Sequence, residues 1–191
     1  SASVSIGTGV DFTNKVSTIE KVTAAGEAAT AIHFTPHAAF STDTGIAIID
    51  FSADTGTQGS NVIDVSNDDG AESWTLTGSA WIDTITGDGG TDTITAGAGA
   101  DILNGKDGID TVLGEAGNDK FVVAAATDIV ADDGNSIEDT LTGGGNTDEL
   151  ALSASVSIGT GVDFTNKVST IEKVTAAGEA ATAIHFTPHA A

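Results

Sequence analysis

Between Gly78 and Val122 an apolar side chain returns every ninth residue, at Ile85, Ile94, Leu103, Val112 and Phe121. Each stands two places after an aspartate: Asp83, Asp92, Asp101, Asp110 and Asp119. Strand side chains alternate between faces, so a triplet such as Thr84-Ile85-Thr86 sends its middle residue inward and its flanks outward. The six residues before each triplet are rich in glycine and read as a turn. Two nine-residue frames then make one coil of two strands and two turns, and turns 18 residues apart lie directly above one another. This predicts an all-β fold, a parallel β-roll or β-solenoid. Asp83, Asp101 and Asp119 stack on one side, and Asp92 and Asp110 on the other. The inward residues divide likewise, with Ile85, Leu103 and Phe121 in one sheet and Ile94 and Val112 in the second.

The frame is degenerate before and after this block. Residues 69–77 keep Leu76 in the apolar place but carry Trp74 in the aspartate place. After a break at 123–133 the frame returns with Asp139 and Leu141, then Asp148 and Leu150. Elsewhere short β-branched runs predict strands at 16–22, 31–34, 46–51 and 62–65. Thr23–Thr30 has the composition for one helical turn, weakened by Gly26. The chain divides on this basis into a β-rich or solenoid flank at 1–77, the regular β-roll at 78–122, irregular last coils and closing strands at 123–152, and a fourth segment at 153–191. That fourth segment repeats residues 1–39 without a change. Identity at an offset of 152 reads as tandem copies of one unit, with an engineered overlap as the alternative.

Charge sharpens the picture. The 191-residue chain has a formal net charge of −22, with six lysines and no arginine or cysteine. Nearly all the excess falls in 40–152, where 22 acids meet two lysines. Stacked turns would hold their carboxylates about 4.8 Å apart, one strand spacing. Such a pile repels itself unless cations lie within it. Calcium suits the donors on offer, because it takes 6–8 hard oxygens from carboxylates and backbone carbonyls. Magnesium demands stricter geometry and gives up water reluctantly. Zinc lacks its usual ligands, since the block holds neither cysteine nor histidine. The alternative is a β-solenoid whose aspartates merely form turns.

The frames Gly87-Asp-Gly-Gly-Thr-Asp92-Thr-Ile94-Thr, Gly105-Lys-Asp-Gly-Ile-Asp110-Thr-Val112-Leu and Gly114-Glu-Ala-Gly-Asn-Asp119-Lys-Phe121-Val resemble the G-G-x-G-x-D-x-U-x nonapeptide of RTX (repeat-in-toxin) proteins, whose parallel β-helix binds Ca²⁺. The resemblance is close over 78–122 and loose over 134–151. It implies metal ligands at Asp83, Gly87, Gly90, Asp92, Gly99, Asp101, Gly105, Gly108, Asp110, Gly114, Gly117, Asp119, Asp139 and Asp148. Four frames depart from the pattern: Trp81 stands in a glycine place before Asp83, Ala96 in another before Asp101, and Ile137 and Asn146 in the fourth place before Asp139 and Asp148. Asp88, Asp107 and Asn118 fall within turns and read as solvated.

The resemblance also implies a secreted bacterial protein that leaves by a type I system and folds on calcium outside the cell. Tandem copies lengthen a molecule, so the reading is a structural repeat of a surface layer, filament or adhesin stalk. Its partner is then itself, with a cell-surface polysaccharide as a further one. The alternatives are a calcium-dependent adhesin or ligand-binding module, and the secretion module of an exoenzyme. Nucleic acid is disfavoured for want of a basic patch. Catalysis is not expected, as neither G-x-S-x-G nor H-E-x-x-H occurs. His33 and His37, in HFTPH, read as two histidines around a strand end, because Pro36 excludes a helical pair of ligands.

Overall fold

The computed structural model describes residues 21–26, 32–36, 38, 40, 47–55, 60–68, 72–129, 137–153 and 167–177. They form two parallel sheets whose strands alternate along the chain, so each pair of strands closes one coil. The first sheet contains β1 (Val22–Gly26), β3 (Ile48–Asp54), β5 (Thr75–Thr77), β7 (Thr93–Ala98), β9 (Thr111–Ala116), β11 (Thr140–Gly145) and β13 (Val168–Ser169), in that spatial order. The second contains β2 (His33–Phe34), β4 (Ser60–Asp64), β6 (Ile82–Thr86), β8 (Ile102–Asn104), β10 (Lys120–Val123), β12 (Glu149–Leu152) and β14 (Lys173–Ala176). The architecture is a parallel β-roll. Both sheets continue through all four sequence segments, including strands of the repeated one.

Register follows the nine-residue pattern. In the first sheet Val22, Ile49, Leu76, Ile94, Val112, Leu141 and Val168 pair in succession. In the second the ladder is Phe34, Ile63, Ile85, Leu103, Phe121, Leu150 and Val174. Ile85, Ile94, Leu76 and Leu150 have no exposed surface, and the two ladders face each other as one thin core. Each such side chain contributes roughly 1.5–3 kcal/mol on burial. Slipping one strand by a single residue would turn its apolar residue outward and its neighbours inward, so the ladders hold the coils in phase.

The spacing of 18 residues holds from Leu76 to Phe121 and then opens. Val112 pairs with Leu141 and Phe121 with Leu150, 29 residues on. Part of the extra length forms a 3₁₀ turn at Ala126–Asp128. Asp128 secures that turn by accepting the N–H groups of Ala124 and Ala125 at 2.8 and 3.1 Å. Ile129 and Ile137 return to the core beside it.

Two local expectations change. The segment from Thr23 begins as strand β1, not as a helical turn, because Val22 completes the apolar ladder and the sheet supplies the hydrogen bonds. The strand expected over 16–22 lies mostly outside the described residues. In the repeated copy the described part of that sequence forms β13 and β14, with a turn between them. At the upstream end Phe40 packs edge-on to Phe34 and stacks on Trp74 at 6.4 Å, widening the core where the coils are longer.

Candidate metal centre

Parallel coiling places the frame aspartates in two buried columns. Asp83 near the start of β6, and Asp101, Asp119 and Asp148 just before β8, β10 and β12, line the second sheet, while Asp92, Asp110 and Asp139 stand just before β7, β9 and β11 of the first. All seven are at most 2 % exposed. A repeated hydrogen bond links them: the backbone N–H of each donates to Oδ1 of the aspartate one coil on. Asp83 donates to Asp101 at 2.7 Å, Asp101 to Asp119 at 2.9 Å and Asp119 to Asp148 at 2.8 Å. On the other side Trp74 donates to Asp92 at 2.9 Å, Asp92 to Asp110 at 2.8 Å and Asp110 to Asp139 at 2.8 Å. Asp139 and Asp148, distant in sequence from the regular block, thus join its columns directly.

The second carboxylate oxygen has a different setting. Oδ2 of Asp101, Asp110, Asp119 and Asp148, and Oδ1 of Asp83, are buried without a hydrogen-bond partner. A buried acceptor in that state costs about 1–3 kcal/mol, and more when charged. Burial is the main force raising the proton affinity of these groups, followed by opposing N–H bonds and by like charge from neighbouring coils. Asp92 and Asp119 are pushed up to about 6, Asp101 and Asp139 to about 7, and Asp110 to about 8. Asp83 and Asp148 move in the same direction for the same first cause. A bound cation would reverse the balance, favouring the ionised form of every carboxylate near it.

Glycine shapes the space around these oxygens. A Cβ on Gly87 would come within 2.3 Å of Asp92 Oδ2, on Gly105 within 2.2 Å of Asp110 Oδ2, and on Gly114 within 2.4 Å of Asp119 Oδ2. The first glycine of a frame therefore leaves room beside its own aspartate. The fourth lets backbones meet. A Cβ on Gly108 would lie 1.8 Å from the Gly90 carbonyl oxygen, on Gly117 1.4 Å from that of Gly99, and on Gly99 2.5 Å from that of Trp81. Gly99 and Gly108 also hold positive φ, at 145° and 129°. Orphaned carboxylate oxygens, adjacent carbonyls and cleared space make a hard-oxygen environment that fits Ca²⁺.

The irregular frames differ in detail. Asp83 keeps its place in the column although Trp81 replaces a glycine, and its Oδ2 accepts Ser79 N–H at 2.6 Å and the Ser79 hydroxyl at 3.0 Å. Asn146, in a glycine place, takes φ of 84°, which asparagine tolerates better than most residues. Asp107 and Asn118 are exposed as expected, and Asn118 accepts the N–H of Thr147 from the coil above. Asp88 corrects its expectation: it is 4 % exposed, with Oδ1 accepting Gly90 N–H and Oδ2 unpartnered. His33 is exposed on β2, and His37 lies outside the described residues.

Besides Trp74, two column positions carry no frame aspartate. Asn61 sits opposite Asp83 and accepts Ile32 N–H, ending the column with a neutral amide. Glu172, in the repeated copy, accepts Asp148 N–H at 2.8 Å. Both precede an inward apolar residue by two places, Ile63 and Val174. That offset is the signal by which the sequence could have revealed them.

Carboxylates stacked between glycine turns of a parallel roll define a calcium-binding repeat protein. The family model for the RTX calcium-binding nonapeptide repeat (4 copies) matches residues 75–103 and 95–130. The coils over 75–130 are thus RTX-type calcium-binding repeats, and Ca²⁺ is their metal. Comparison with curated proteins and with solved structures gave no match.

Proposed function

We propose that the chain is a secreted, non-catalytic structural repeat whose units join end to end into an extracellular filament, stalk or surface layer. One observation carries the reading. The repeated sequence at 167–177 continues both sheets beyond β12, with Leu141 pairing to Val168 and Leu150 to Val174. The start of a second copy thus serves as the next coil of the first. The same lysine adapts to both situations: Lys21 pairs with Asp50 on the following strand, and its counterpart Lys173 with Glu149 on the preceding one. In a joined array one lysine would stand between both acids.

Folding is coupled to calcium through the columns. Asp83, Asp101, Asp119 and Asp148 on one side, and Asp92, Asp110 and Asp139 on the other, would hold the ions with carbonyls of the glycine turns. Bound calcium supplies the positive charge that makes the pile of carboxylates cohesive, so its binding energy becomes folding energy. A chain that is weakly folded at cytosolic calcium and folded at about 10⁻⁴–10⁻³ M suits type I export followed by assembly outside.

The test is electron microscopy of protein carrying several units, in millimolar calcium and in chelator. Ordered fibres or sheets that need calcium support the proposal. Dispersed monomers in both conditions overturn it.

A further inference from the structure

The first-sheet column loses its aspartate at Trp74, yet acidic side chains gather at that level from elsewhere. Asp68 follows β4, Glu72 lies in the turn before β5, and Asp88 in the turn before β7. One carboxylate oxygen from each falls within 4.8 Å of the other two. Two oxygens bound to one Ca²⁺ at 2.3–2.6 Å lie no more than about 5 Å apart, so the three can share an ion. Asp88 is 96 % buried, and its Oδ2 has no hydrogen-bond partner; Glu72 Oε2 is buried and unpartnered as well. Water does not reach these two orphaned oxygens of Asp88 and Glu72.

We propose that Asp68, Glu72 and Asp88 form an additional site for a hard divalent cation, Ca²⁺ in an extracellular setting. It differs in kind from the column sites, being built from side chains of irregular positions with no frame aspartate among them. Its place gives it a purpose: it ties the longer upstream coils to the first regular nonapeptide coil, where the column has an indole instead of a carboxylate. Oxygen donors alone, without nitrogen or sulfur, select calcium over zinc.

The experiment is calorimetric titration of the whole chain with CaCl₂ at pH 8, with circular dichroism in parallel. Glu72→Gln and Asp88→Asn are each expected to bind fewer ions by about one per chain while still folding on calcium. Asp110→Asn, within a column, should instead raise the calcium needed for folding. Terbium(III) provides a second readout, because the Trp74 indole beside Asp88 can excite a bound ion. Glu72→Gln should reduce that sensitised emission, and this half-buried position remains usable should Asp88→Asn fold poorly. Unchanged stoichiometry and unchanged emission in Glu72→Gln overturn the site. An indifferent Asp110→Asn would count against the columns and leave this site standing.

Discussion

The backbone N–H of Asp101 donates to Oδ1 of Asp119 at 2.9 Å, while Oδ2 of Asp119 has no partner. One oxygen is thus committed to holding coils together and the other is available to a cation. Asp119→Asn separates the two tasks, because the amide oxygen keeps the first bond while the charge is removed. In chelator at pH 8 the variant should be more stable than the wild type, by on the order of 1 kcal/mol, since a buried amide costs less than a buried carboxylate. In calcium it should be less stable, with roughly tenfold more calcium needed for folding, or about 1.4 kcal/mol. Thermal melts in both buffers check the opposite signs.

Acid should stabilise the metal-free protein. The column aspartates bind protons more tightly folded than unfolded, from an ordinary value of 3.8 up to about 6 at Asp92 and about 8 at Asp110. Their stabilising contribution is complete below the ordinary value and is lost as pH rises through about 6 to 8. Calcium needs the ionised form, so its affinity should fall over the same window as pH drops. Urea melts in chelator and in calcium, from pH 4 to 8.5, should show slopes of opposite sign.

Two glycines at different places in the turn, Gly108 and Gly89, test its geometry. Gly108→Ala places a Cβ against the Gly90 carbonyl and forces alanine to φ of 129°. A loss of roughly 1–3 kcal/mol is expected from the backbone strain alone. Gly89→Ala meets nothing within 4 Å and should stay within about 0.5 kcal/mol of the wild type. Denaturant midpoints in saturating calcium compare them.

Neighbouring residues on β8 test the inward ladder. Leu103 is 1 % exposed and Ile102 is 42 % exposed. Leu103→Ala should cost about 2–5 kcal/mol, as for other large-to-small changes in a packed core. Ile102→Ala should cost well under half of that. A reversal would mean the strand sits in the other register.

The regular coils were legible because each nine-residue frame states its whole environment locally. Asp110, Val112 and the glycines at 105 and 108 name a turn, a ligand place and an inward strand residue without reference to distant sequence. Asp139 and Asp148 could be phased, but not placed in the columns, since the 29-residue step from Val112 to Leu141 breaks the 18-residue spacing and only strand pairing shows that the coil resumes. Asp88 was misread as solvated because its burial comes from Asp68, Glu72 and Trp74 on the preceding coil. Asn61 and Glu172 hid behind unexpected residue types. Thr23 looked helical by composition, and pairing along the sheet decided otherwise.

Val22 and Val174 are the same residue of an identical sequence, yet they belong to opposite sheets. A further copy grown from Val174 would enter the pile facing backwards, its front where its predecessor shows its rear. Whatever decorates one flank of a unit would then appear on alternate sides along a joined array. Any lateral contact made through a single flank would recur only every second unit, with a repeat twice that written in the sequence.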